Sequence, residues 1–99
     1  MSDTNKTLIV IAEDSYTQAV RLKLILEEAN YEVLTGKNGS ESLAIIKERR
    51  PSLVISDILM PLMDGFELCK SIKTDDELKS IPVVLLTTLS ELVSILHAL

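Results

Sequence analysis

Cysteine, clustered basic residues, glycine and sustained apolar runs are all scarce in this chain, and each scarcity closes a class of explanation. A single cysteine, Cys69, cannot form an internal disulfide, and no charged segment followed by an apolar one opens the sequence, so the reducing cytoplasm is the expected compartment. No apolar run approaches the roughly 20 residues needed to cross a bilayer, so no membrane role is expected. Lys and Arg number 10 against 15 Asp and Glu, for a net charge of -5. With Arg49-Arg50 as its tight basic cluster, the chain is not expected to bind nucleic acid directly, because phosphate backbones are held by clustered cations. The 3 glycines form no phosphate-cradling loop after any strand-like run, and no Walker loop is present. The lone His97 has no metal-ligand partner at useful spacing.

What is present is a core-forming pattern. Hydrophobic residues make up 46% and charged residues 25% of 99 residues, which describes one globular domain with little core to spare. Residues 7–12 are a continuous apolar run, as in a strand buried on both faces. From Ser15 the period becomes helical: Leu22, Ile25, Leu26 and Ala29 recur at helical spacing, and Ser15-x-x-Gln18 has the form of a capping box. Asn30 is expected to end that helix. Residues 31–35 read as a second strand, and residues 40–49 as a helix burying Leu43 and Ile46 ahead of Pro51. The third strand is 52–57. Asp64-x-x-Glu67 caps a helix expected to place Phe66, Cys69 and Ile72 on one side. After polar residues 75–80, a fourth strand spans 81–87, and a last apolar helix runs from Leu92 to Leu99.

Strand and helix thus alternate with short connections, which predicts an α/β fold: a three-layer parallel sheet with helices on both faces, of about four βα units. In such sheets ligands sit at the carboxyl ends of the strands. That edge receives Glu13 and Asp14 after the first strand, Asp57 after the third, and Thr87 and Thr88 after the fourth. Carboxylates gathered from two strands predict a divalent metal. Taken singly, Glu13-Asp14 is a common strand-to-helix turn, Asp57 ordinary turn chemistry, and the threonines ordinary strand residues.

Taken together, these residues resemble the receiver domain of two-component response regulators, the chemotaxis-response-regulator-like, flavodoxin-like fold. The specific parts are Glu13-Asp14, the strand-end Asp57, the loop Met60-Pro61-x-Met63-Asp64-Gly65, and Thr87 after Pro82-Val83-Val84-Leu85-Leu86. The resemblance implies that Asp57 accepts a phosphoryl group from a histidine kinase or phosphotransfer protein, and that Thr87 hydrogen-bonds the phosphoryl group and acts as the switch. It implies Mg²⁺ as cofactor, held by Glu13, Asp14, Asp57 and the backbone carbonyl of Leu59. Gly65 would serve the backbone geometry of the loop. Residues 1–99 would then be one receiver domain, incomplete at its C-terminus, since the family's fifth strand, its lysine and the fifth helix have no counterpart after Lys79. An uncovered fourth strand and last helix predict a homodimer, formed by domain swapping or through those two elements. The alternative is a non-signalling interaction module, or a truncated receiver with a broken phosphorylation switch. A haloacid-dehalogenase-like phosphatase needs a second acid where this chain has Leu59, and a flavodoxin's phosphate would be repelled by Glu13-Asp14.

Overall fold

The computed structural model describes residues 6–86. Four strands, β1 (Leu8–Ala12), β2 (Glu32–Gly36), β3 (Leu53–Asp57) and β4 (Val83–Leu86), alternate with three helices, α1 (Tyr16–Glu28), α2 (Gly39–Arg49) and α3 (Gly65–Lys73). All strand pairs are parallel and the order is β2-β1-β3-β4. Thr87, Thr88, the last helix and His97 lie outside the described residues.

The two faces of β1 explain its unbroken apolar run. Ile9 and Ile11 pack with Leu22 and Leu26 of α1, Val33, Ile55 and Leu86. Val10 and Ala12, pointing the other way as strand pleating requires, pack with Ile46 of α2, Val54, and Leu68 and Ile72 of α3. One strand therefore serves two separate cores, α1 covering one and α2 with α3 the other. The predicted three-layer parallel architecture is the observed one.

The ends of the helices follow their capping chemistry. Asp64 and Glu67 form a complete capping box at α3, each side chain accepting the other's backbone N–H at 2.8 and 3.1 Å. At α1 only half of the expected box exists: Ser15 Oγ accepts from Gln18 N at 3.4 Å, while the Ser15 amide donates to Glu13 Oε2 at 3.1 Å. Glu13 has taken the place the reciprocal Gln18 bond would fill. At α2, Asn38 is the cap, accepting from the Glu41 amide at 2.7 Å.

Several expectations are corrected. Phe66 is 60% exposed, and the buried residues of α3 are Gly65, Leu68 and Ile72, because Leu68 and Ile72, four residues apart on one face, pack into the core and leave Phe66 off that face. Ala29 is exposed beyond the end of α1, and Ala19, Leu22 and Leu26 form its buried stripe. Ser42, not Leu43, is the more deeply buried of that pair on α2. Its hydroxyl donates to the Asn38 carbonyl at 2.7 Å, and its small size lets α2 lie against Gly36, where an added methyl would overlap Ser42 Oγ. The polar segment after α3 contributes the buried Leu78, held by its amide bond to the Asp75 carbonyl.

Candidate active site at the carboxyl edge of the sheet

The register of β1 against β3 builds the site. Ala12 lies level with Ser56, so one residue further along the ladder Glu13 comes beside Asp57, at the separation of neighbouring strands. Asp14 follows at the start of the turn into α1. One carboxylate oxygen from each of Glu13, Asp14 and Asp57 lies within 4.8 Å of the others; Glu13 and Asp57 are half-buried and Asp14 is exposed.

Such a group of anions cannot all ionise freely. Glu13 responds: its pKa is pushed up from 4.5 to about 7, first by burial and then by the neighbouring charges of Asp57 and Asp14, against the opposing pull of the Ser15 amide. Glu13 therefore titrates near neutral pH rather than in the ordinary carboxylate range. Its donors are carboxylate oxygens, two half-buried and one open to solvent. That set fits a hard divalent cation such as Mg²⁺, which takes a few carboxylates and keeps several waters. A cleft of about 340 Å³ opens beside the acids, between Tyr16 of α1 and Thr35, Lys37 and Glu41 on the β2–α2 side.

The segment from Asp57 to α3 is tightly folded. The Ile58 amide donates to the Leu86 carbonyl at 3.1 Å, and the Gly65 amide returns to the Ile58 carbonyl at 2.8 Å. A methyl on Gly65 would overlap the Asp57 carbonyl oxygen and come within 2.9 Å of Ile58 Cα. The role foreseen for Gly65 therefore has a definite form: its bare Cα lets the start of α3 lie against the backbone of Asp57. Met60 and Met63 turn inward onto the core, whereas Leu59 and Leu62 are 79% and 83% exposed.

Of the residues singled out from sequence, Glu13, Asp14 and Asp57 are brought together. Leu59 stands two residues beyond Asp57 in the loop. Thr87, immediately after β4, is outside the described residues. Sequence reasoning missed Gly39, at the first position of α2, whose Cα abuts Met63 in the Asp57 loop. Its only sequence signal was a glycine where a helix former would serve better.

Comparison with known proteins agrees with this fold. The family model for the response regulator receiver domain matches residues 9–99. The chain is 41% identical over 93 residues to Histidine kinase P4 of Formosa agariphila, covering 94% of this chain and 7% of that protein. It is 35% identical over 80 residues to Protein PilH of Pseudomonas aeruginosa, covering 81% of this chain and 66% of that one. Among solved structures, the signal receiver domain of a signal transduction histidine kinase from Syntrophus aciditrophicus superposes with a TM-score of 0.79 at 46% identity, over 93% of this chain and 70% of that chain. The fold is that of the receiver α/β domain. The chain belongs to the response regulator receiver family, whose function is to accept a phosphoryl group within two-component systems.

Proposed function

We propose that Asp57 is the phosphoacceptor of this receiver, and that Glu13, Asp14, Asp57 and the Leu59 carbonyl hold Mg²⁺. The observation that carries this reading is the meeting of carboxylates from two strands at the carboxyl edge of the sheet, just beyond the level pair Ala12 and Ser56. The donor is a phosphohistidine on a histidine kinase or phosphotransfer protein, and the compartment is the cytoplasm. An Asp57 carboxylate oxygen attacks phosphorus, the P–N bond of the phosphohistidine breaks as the P–O bond forms, and the imidazole leaves with the bonding electron pair. The product is an acyl phosphate on Asp57. When bound, Mg²⁺ supplies neutralisation of the phosphoryl oxygens and favours the ionised nucleophile, in a reaction governed by positioning and electrostatics. The Gly65 contact holds the Asp57 backbone still, and the cleft beside Glu13 and Asp14 leaves the edge open to an approaching donor. In this reading Thr87 donates its hydroxyl to a phosphoryl oxygen.

The test is the intact mass of the chain after incubation with acetyl phosphate, with and without Mg²⁺. The expected result is a gain of one phosphoryl group with Mg²⁺, absent when Mg²⁺ is removed and absent in Asp57→Asn. A gain that survives in Asp57→Asn, or folded wild-type protein that gains nothing, overturns the assignment.

A further inference from the structure

The loop that carries the chemistry is held from a place that belongs to none of its own elements. Gly39 is buried at the first position of α2, and a methyl built on it would overlap the Met63 carbonyl oxygen and lie 2.7 and 2.8 Å from Met63 Cβ and Cγ. No side chain other than hydrogen fits there without displacing the loop backbone. The loop so braced is under tension: Leu62, directly before Met63, has φ 70, the left-handed region that a leucine enters only at a cost. It also presents a largely exposed side chain that gains little by burial. A strained residue persists where its surroundings over-determine it. Here those surroundings are the Met63 amide bond to the Pro61 carbonyl at 2.8 Å, the Gly65 amide bond to the Ile58 carbonyl at 2.8 Å, and the Gly39 face of α2.

We infer that Gly39 is a positioning residue for the phosphorylation site: the N-terminus of α2, by seating Met63, fixes the Ile58–Gly65 loop and with it the backbone beside Asp57. Gly39 is not one of the clustered acids and acts through its contact with Met63. The inference rests on the function proposed above.

The experiment measures Mg²⁺ affinity by calorimetry and the rate of labelling by acetyl phosphate in the wild type, Gly39→Ala and Ile46→Val. Ile46 is buried in the core on the same helix and controls for lost packing without a change at the α2 N-terminus. Gly39→Ala is expected to weaken Mg²⁺ binding and slow labelling about tenfold each, while Ile46→Val lowers the melting temperature and leaves both within twofold. Gly39→Ala with wild-type affinity and rate overturns the inference and leaves the proposed function standing. Should Gly39→Ala not fold, amide resonances of the wild type decide: on Mg²⁺ titration those of Gly39 and Met63 should shift with one midpoint and that of Ile46 should not. An unmoved Gly39 resonance overturns the inference. Wild-type protein that neither binds Mg²⁺ nor takes label overturns the proposed function, and this inference with it.

Discussion

Glu13 is the residue at which fold and site compete. It accepts the Ser15 amide as part of the entry to α1 and at the same time faces Asp57 and Asp14. With its pKa raised from 4.5 to about 7, the folded, metal-free chain keeps a proton on Glu13 between those values where the unfolded chain has released it. The native state then binds more protons than the unfolded one, so this residue's contribution to stability is fully present below pH 4.5 and is lost as pH rises to about 7. In metal-free buffer, Glu13→Gln should therefore raise the urea midpoint relative to wild type at pH 7.5 by more than it does at pH 5. Equal differences at the two pH values would refute the argument. That Glu13 and Asp57 would meet was legible in the sequence, because each directly follows an apolar strand and parallel strands gather their ends. The Gly39–Met63 contact was not, because it joins positions that only the packing of α2 against the loop brings together.

At the scale of elements, caps were easier to read than faces. Asp64-x-x-Glu67 is a local signal whose physics is complete within four residues, and it formed as expected. Asp64→Ala removes the oxygen that accepts the Glu67 amide and should cost about 1 kcal/mol, read as a lower urea midpoint at unchanged slope. Ser15-x-x-Gln18 has the same form but a competitor upstream, and Glu13 captured the Ser15 amide. The buried face of α3 was misread for a related reason. Phe66 is the largest apolar side chain in the helix, yet size does not choose the face; the stripe that meets the core is Leu68 and Ile72. Leu78 was hidden inside a polar stretch, with no periodicity to mark it.

For the molecule as a whole, the alternation of strand and helix was enough to obtain the parallel three-layer arrangement, because both faces of β1 and β3 had to be covered. The order β2-β1-β3-β4 requires long-range pairing that no local pattern records. Among the described residues β4 pairs on one side only, and Val83, Val84 and Leu85 are half-buried. We propose self-association through this side of the sheet. Light scattering should show a mass that rises with concentration from 11.0 kDa toward that of a dimer; a constant 11.0 kDa from micromolar to millimolar would refute it.

The position of β1 also gives its two pairings unequal costs of loop closure. Ile9 pairs with Val33 on one side and with Leu53 on the other, so closing β1 on β2 spans the shorter loop and costs less chain entropy than closing β1 on β3 across α2. Glu13 and Asp14 follow the strand common to both pairings, whereas Asp57 is brought to them by the costlier one. On the proposed function, then, the acceptor and the acids beside it come together only where β1 is paired on both of its sides.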